Sequence, residues 1–159
     1  MIAPPTDTDA SAKQLAERCA AIMWEDDHAA RGLGFELLDV GPGRARLRMS
    51  VRPNMVNGHG ICHGGFIFTL ADAAFSYACN SENQRAVAAG GDISFLAPAH
   101  IGDVLECLCR RQHQGARNGI YDSEVRTPDG RLIAVFRGRS TRITGQFFTA
   151  TDTPPGTPS

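Results

Sequence analysis

The feature that most constrains this chain is the apolar segment at residues 64–79, GGFIFTLADAAFSYAC, in which the polar side chains are those of Thr69, Asp72 and Ser76. A helix that is apolar on every side must be surrounded by other elements of the protein. The segment is shorter than the roughly 20 residues that a membrane-spanning helix needs. We therefore predict a core helix that is buried on all sides, and we expect no membrane partner.

The segments around this helix have the two-residue periodicity of strands. Residues 44–51 alternate arginine with Ala45, Leu47, Met49 and Val51, which predicts an antiparallel hairpin with residues 34–40 that keeps its arginines on the wet face. Further strand-like runs lie at 86–98, 103–114, 119–127 and 131–143. The turn sequences Asn118-Gly119 and Pro128-Asp129-Gly130 predict an antiparallel meander among the last of them.

This order of elements predicts the α+β class. An amphipathic helix is expected over residues 11–29, ending near Arg31-Gly32, and an antiparallel sheet is expected to wrap around the one long buried helix. The terminal segments 1–10 and 146–159 are predicted to be disordered tails, which leaves a single domain over residues 11–145.

The net charge and the cysteines exclude several classes of protein. The chain has 159 residues and a formal net charge of −1, so it carries no field that would attract nucleic acid. Its five cysteines are odd in number and include no Cys-x-x-Cys, as expected of reduced thiols in the cytoplasm rather than of a disulfide framework or a zinc ribbon. The N-terminus lacks the order of charged and apolar residues that a signal peptide has, and we expect a cytoplasmic protein.

The start and the middle of the core helix carry the candidate chemistry. Gly64 and Gly65 stand at its N-terminus, where free N–H groups and the helix dipole suit the oxygen of a polarised carbonyl. Asp72 lies in the middle, among apolar neighbours. Burial raises the pKa of a carboxyl group, as a general base near neutral pH requires.

The spacing of these residues has a consequence for assembly. Gly64 and Asp72 are eight residues apart, which in a helix corresponds to ~12 Å along the axis. One chain therefore cannot bring both to one small reacting group, whereas two antiparallel copies related by a two-fold axis can. We predict a site that is shared between subunits, in a homodimer at least.

The segment from His63-Gly64-Gly65 to Leu70-Ala71-Asp72, preceded by Asn57-Gly58, resembles the hot-dog-fold acyl-CoA thioesterases and looks closest to the PaaI-type family of phenylacetate catabolism. The resemblance covers residues 30–145 and continues through DISFLAP (92–98) and FRGRS (136–140). It implies a long helix wrapped by five or six antiparallel strands, and dimers that pair into homotetramers. It also implies hydrolysis of an acyl-CoA without a bound cofactor or metal, since coenzyme A enters with the substrate.

Carried over by position, the resemblance assigns roles to four residues. The Gly64 N–H polarises the thioester carbonyl, His63 shapes the helix start, and Asn57 helps to hold the carbonyl or the attacking water. Asp72 of the other subunit activates water or attacks directly, two routes between which the sequence does not choose. The implied acyl groups are phenylacetyl, hydroxyphenylacetyl or related aryl and short-to-medium chains.

One position departs from the family pattern. A serine that in some relatives helps to hold the water corresponds here to Ala88 or a neighbour, so Ser94 and Asp92 are the replacements that we consider.

Other interpretations start from the same segment. His59, Cys62 and His63 are close enough in sequence to suggest a metal site, and Cys62 a thiolate at a helix start, but both patterns are incomplete. Arg110, Arg137 and Arg139 are open candidates for coenzyme A phosphates. A non-catalytic acyl-CoA-binding module and a hot-dog enoyl-CoA hydratase are the alternative functions. The binding module would tolerate Asp72→Asn, and the hydratase requires a different acid/base pair.

Overall fold

The computed structural model describes residues 7–149 and residue 152. Its helices and strands follow one another in the order α1 (Asp7–Asp26), α2 (His28–Gly32), β1 (Glu36–Gly41), β2 (Arg44–Ser50), α3 (Gly64–Cys79), β3 (Ala86–Phe95), β4 (Val104–Gln114), β5 (Asn118–Arg126) and β6 (Leu132–Arg142). A single 3₁₀ turn, Pro53–Met55, lies between β2 and α3.

The strands form one antiparallel sheet of six strands in the order β1-β2-β4-β5-β6-β3. β4, β5 and β6 are the predicted meander. β3 follows α3 in sequence but pairs with β6 at the far edge, so the chain crosses over the helix to reach it. The sheet curves around α3, which confirms the predicted α+β arrangement of a sheet wrapped around one long helix.

The alternation in β2 places its side chains as predicted. Ala45, Leu47 and Met49 are fully buried against the helix, and the arginines between them face outward. There Arg48 forms an ion pair with Glu106 at 2.7 Å, and Arg44 forms one with Asp39. The outer face of the sheet is therefore a charged surface, and the apolar core lies between the sheet and α3.

α3 is not buried on every side, which corrects the expectation from its composition. Ile67, Leu70, Ala74 and Phe75 belong to the buried core. On the opposite side, a stripe at helical spacing remains incompletely covered; we call this the open stripe, and its members are Gly65, Thr69, Asp72 and Ser76. The sheet of one protomer wraps around most of the helix and stops at this stripe.

The N-terminal helix differs from its predicted extent. α1 begins at Asp7 instead of residue 11, and it ends at Asp26 because Asp27 starts a new helix. The Asp27 side chain accepts the Ala30 N–H at 3.0 Å as the N-cap of α2, and its second oxygen accepts the Tyr77 hydroxyl at 2.8 Å. Within the described part of the chain, no helix has the length and apolar character needed to cross a membrane.

Part of each predicted disordered tail is ordered. Residues 7–10 are helical, and Phe147 and Phe148 are bound to the domain through Asn83, which accepts the Phe147 N–H and donates to the Phe148 carbonyl, each at 2.9 Å. Arg18 lies over the Phe148 ring at 3.7 Å. The rest of both predicted tails, residues 1–6, 150, 151 and 153–159, lies outside the described residues.

The Asn118-Gly119 pair does not form the predicted turn. Residues 115–117 connect the strands, and both residues belong to β5. Asn118 accepts the Thr141 hydroxyl at 3.0 Å, and a Cβ atom on Gly119 would come within 2.8 Å of the Ser140 hydroxyl. The glycine is present because two strands approach closely, not because the chain reverses direction there.

A substitution at Gly138 on β6 can test how tightly α3 packs against the sheet. A Cβ atom there would lie 2.8 Å from the Phe75 ring, whereas one at Gly58 would meet nothing within 4 Å. We expect Gly138→Ala to lower the free energy of unfolding by about 1–3 kcal/mol through overpacking. Gly58→Ala should leave it nearly unchanged. Urea denaturation of both variants measures this, and equal stabilities would show that the helix does not press on the sheet at this point.

Candidate functional site

The loop before α3 is fixed by its backbone. Val56 and Cys62 form an isolated antiparallel bridge. The Cys62 N–H donates to the Ala99 carbonyl at 2.7 Å, and the His63 N–H donates to the Met55 carbonyl at 2.8 Å. These bonds join the loop to the segment that follows β3 and determine where the helix begins.

His63 is the N-cap of α3. Its backbone is extended, and Nδ1 of its ring accepts the Gly65 N–H at 3.2 Å. An N-cap side chain satisfies one of the N–H groups that a helix start leaves without a partner. The predicted role of His63 in shaping the helix start agrees with this geometry.

Capping leaves the neighbouring donor free. No described residue accepts a hydrogen bond from the Gly64 N–H. Gly64 lines a cavity of about 520 Å³ together with Asn57, Ile67, Phe95 and Leu96. The Phe95 ring lies close enough that a Cβ atom on Gly64 would approach it to 2.7 Å, so only glycine fits here without moving the ring. The helix start thus offers an unused donor at the wall of an apolar cavity.

Asn57 contributes to the same cavity. Its Oδ1 accepts the His59 N–H at 2.9 Å and the Ile61 N–H at 3.4 Å, so the side chain is held within its own loop. The amide nitrogen Nδ2 forms no hydrogen bond to any residue in the described ranges. One side-chain oxygen orders the loop, and the nitrogen remains available to a ligand in the cavity.

Asp72 lies on the open stripe of α3 and is half-buried. Its carboxylate has neither a hydrogen bond nor an ion pair with any residue that the structure describes. Burial removes water from the carboxylate without supplying a partner, and this desolvation raises its pKa above the ordinary value. The result is a carboxylate prepared to take up a proton.

The structure brings some of the predicted site residues together within one protomer. Asn57 and Gly64 share the cavity, and His63 caps the helix beside it. Asp72 is not among the residues that line this cavity. It lies two helical turns further on, ~12 Å along the axis, so one protomer holds two separate halves of the predicted site.

Asp92 and Ser94 do not replace the family's serine beside Asp72. Asp92 pairs with Arg137 across the sheet and Ser94 with Val135, whereas Ile93 between them pairs with the buried Phe136. Because successive side chains on a strand alternate between faces, Asp92 and Ser94 point to the outer face, away from α3. Ala88 pairs with the buried Ser140, which puts its methyl group on the inner face.

The alternative sites also lack support. Across residues 7–149 and 152, no group of three His, Cys, Asp or Glu side chains is arranged to hold a metal ion. Burial raises the pKa of the Cys62 thiol, which is the wrong direction for a thiolate nucleophile. Arg137 is bound to Asp122 through two hydrogen bonds of 2.6 and 2.7 Å, and Arg139 to Asp92 at 2.7 Å, so both already have partners on the outer face.

The sequence interpretation missed Phe95 and Leu96 as cavity residues. Both are more than half exposed, at 53% and 56%, and both line the cavity beside Gly64. Their segment has the ordinary apolar content of a strand end, and nothing in its pattern distinguishes a cavity wall from core. An exposed apolar pair beside a free helix donor is visible only in three dimensions.

Comparisons with known proteins identify relatives of this chain. The model of the Thioesterase superfamily matches residues 59–134. The chain is 44% identical to the acyl-coenzyme A thioesterase PaaI of Escherichia coli strain K12 over 126 residues. This match covers 79% of this chain and 90% of that protein. The solved structure of E. coli PaaI, from the phenylacetic acid degradation operon, superposes with a TM-score of 0.84 and 41% identity, covering 85% of this chain and 98% of that one.

A more distant relative has been solved with a bound ligand. The Streptococcus mutans protein smu.793 bound to acetyl CoA matches with a TM-score of 0.67 and 26% identity, over 70% of this chain and 90% of that one.

The N-cap can be tested by substitution. We expect His63→Ala to lower the free energy of unfolding by about 1 kcal/mol, because the Gly65 N–H loses its acceptor. His63→Asn should retain most of the stability, since asparagine is a good N-cap. Thermal and chemical denaturation compare the three proteins. If alanine and asparagine behave alike, the ring nitrogen does not cap the helix.

The raised pKa of Asp72 predicts a dependence of stability on pH. A carboxyl group whose pKa is higher in the folded state stabilises the fold below its ordinary value near 3.8, and this contribution is lost as pH rises through the folded-state pKa. Asp72→Asn should therefore have a higher Tm than the unmodified protein at pH 7 and no such advantage at strongly acidic pH.

Asp122 provides the control, because hydrogen bonds from Arg137 lower its pKa. Asp122→Asn should lose stability at pH 7 rather than gain it. A loss of stability in the Asp72 variant at pH 7 would mean that the ionised carboxylate has a favourable partner.

Proposed function

Because this chain belongs to the thioesterase superfamily and is an acyl-CoA thioester hydrolase, we propose that its active site forms between two antiparallel protomers. In this site, Asp72 of one protomer acts on a thioester carbonyl that is held by Gly64 and Asn57 of the other. One observation carries the proposal. Within one protomer, the free N–H of Gly64 and the half-buried carboxylate of Asp72 are too far apart to act on one carbonyl group.

The edge of the sheet supports such a dimer. β3 spans Ala86–Phe95 and pairs on one side only, with β6. A long edge strand with free backbone groups is usually covered in native proteins. Val87 and Phe95 add apolar surface at the two ends of this edge, 48% and 53% exposed. A second copy of β3 would pair with the edge and cover both side chains.

The helix supports the same arrangement. The open stripe of α3 runs beside the β3 edge, since Gly64 lies under Phe95 at one end and Asn80 bonds to Ala86 at the other. Two such stripes facing each other across a two-fold axis run antiparallel. The middle of each helix then faces the start of its mate, which brings Asp72 to Gly64 of the partner subunit.

In the proposed mechanism, the free Gly64 N–H and the Asn57 Nδ2 donate to the carbonyl oxygen and stabilise the charge that develops on it. The Asp72 carboxylate removes a proton from a water molecule, whose oxygen forms the new bond to the carbonyl carbon. The carbon–sulfur bond then breaks, and the coenzyme A sulfur takes the proton from Asp72. The raised pKa of Asp72 brings its basicity closer to neutral pH and favours this general-base role.

The proposal also includes the acyl group of the substrate. The similarity to PaaI supports phenylacetyl-CoA, hydroxyphenylacetyl-CoA or a related aryl or short-to-medium acyl-CoA. The reaction as written needs no bound cofactor, since water and the acyl-CoA supply all the atoms. We further propose a homotetramer built from two such dimers, acting in the cytoplasm.

The direct test replaces the base. Asp72→Asn should hydrolyse phenylacetyl-CoA at least ~100-fold more slowly than the unmodified enzyme, as expected when a general base is removed, while it keeps its oligomeric state and still binds the substrate. Release of the free thiol measures the rate. Asp92→Asn, on the outer face, is the matched control and should retain the activity. Unchanged turnover in the Asp72 variant would show that Asp72 is not the base and would rule out the proposed mechanism.

A further inference from the structure

A second cavity, of about 250 Å³, opens at the C-terminal end of the open stripe. Its walls come from four parts of the chain: Met23 on α1, Ser76 on α3, Val87 on β3, and Ile143 with Phe147 from the segment after β6. None of these residues has a role in the mechanism above. The cavity is separate from the one that contains Gly64 and Asn57, because the two share no lining residue.

The position of this cavity relative to Asp72 follows from the helix. Ser76 is one turn after Asp72 on the same face, about 6 Å along the axis, and its side chain lines the cavity. In the proposed dimer, a carbonyl beside Asp72 therefore has the cavity of this protomer on one side and the Gly64 cavity of the partner subunit on the other.

We propose that this second cavity receives the acyl group and that Phe147 limits the size of the acyl group that the enzyme accepts. The inference rests on the shared active site proposed above and adds which residues determine substrate choice. Phe147 is then a specificity-determining residue that lies at a distance from the reacting atoms.

The walls suit a compact apolar group. Four of its eight lining residues, Met23, Val87, Ile143 and Phe147, have large apolar side chains, and Ala86 adds a methyl group. The charged member, Arg85, lies with its guanidinium over the Phe147 ring. The neighbouring Asn80 amide is already satisfied by the Ser76 and Ala86 carbonyls at 3.0 and 3.1 Å and by the Ala86 N–H at 2.9 Å, so no amide group is left to bind a polar arm. An apolar cavity of about 150 Å³ can hold benzene. The volume of about 250 Å³ is therefore enough for an aromatic ring with its methylene linker, and in our proposal a long straight chain meets Phe147.

Phe147 is a fixed wall. Its backbone N–H donates to Asn83 at 2.9 Å, and the Arg85 guanidinium lies over its ring at 5.1 Å. The next residue, Phe148, is held by the same asparagine but packs against Arg18 at 3.7 Å and does not line the cavity. The chain therefore offers two adjacent phenylalanines, one at the cavity and one away from it.

The test compares Phe147→Ala with Phe148→Ala in the full-length protein. For each, kcat/KM is measured for phenylacetyl-CoA and for decanoyl-CoA by release of the free thiol. We expect Phe147→Ala to raise the ratio of decanoyl-CoA to phenylacetyl-CoA at least about tenfold, the scale on which a change of a methylene or more in a pocket alters selectivity. Phe148→Ala should leave the ratio unchanged.

Each other outcome has a defined meaning. An unchanged ratio, or the same change in both variants, overturns the inference but leaves the proposed function standing. An equal rise in KM for every acyl-CoA, including acetyl-CoA, would place the pantetheine arm in this cavity and would also overturn the inference. If the unmodified protein hydrolyses no acyl-CoA, the proposed function itself fails. If Phe147→Ala does not fold, as judged by its Tm, Ile143→Ala on the same wall replaces it with the same expected shift.

Discussion

Much of this structure follows from a charged group placed in an apolar helix. Asp72 has no partner among the described residues, and burying an ionised carboxylate without one is costly. The sheet therefore cannot close over α3 along the line of Asp72 unless another charged or polar group comes to meet it. The open stripe of α3 and the unpaired edge of β3 lie next to each other, and both are left uncovered on the same side of the molecule. In the proposed dimer, a second copy of the chain covers both.

The start of the helix is organised in a complementary way. His63 uses its ring to satisfy the Gly65 N–H, and Asn57 uses its oxygen to order the loop. Each arrangement leaves one donor unused, the Gly64 N–H and the Asn57 Nδ2, and both belong to residues at the same cavity. Positioning donors in advance is the main way in which a protein stabilises charge that develops during a reaction. In the proposed mechanism, the capping and turn interactions of this loop therefore have a functional consequence as well as a structural one.

Local patterns in the sequence predicted most of the elements, because they depend on neighbours along the chain. The alternation of arginine with Ala45, Leu47 and Met49 defines β2, and it holds in the structure. Predictions that depend on distant contacts were less successful. Asn118-Gly119 has the composition of a turn, but its glycine serves the close approach to Ser140. Asp27 divides the predicted N-terminal helix because Tyr77, fifty positions away, binds its second oxygen.

In the candidate site, too, features that depend on local spacing were predicted, and features that depend on distant contacts were not. The spacing of Gly64 and Asp72 along one helix is a local property, and it was enough to predict that one protomer cannot unite them. The walls of the two cavities come from segments that are far apart in sequence, such as Phe95 beside Gly64 and Phe147 near Ser76. Apolar residues in strands and tails carry no mark of the cavity that they line, so the sequence could not identify them.

Subunit complementation tests the shared site most directly. Asn57→Asp keeps an oxygen for the two loop hydrogen bonds but removes the Nδ2 donor, and Asp72→Asn removes the base. Each variant alone should be nearly inactive. When the two are refolded together in equal amounts, random pairing makes half of the dimers mixed, and each mixed dimer has one site with both groups intact. The account predicts recovery of about a quarter of the unmodified activity, and no recovery above that of the separate variants would contradict it.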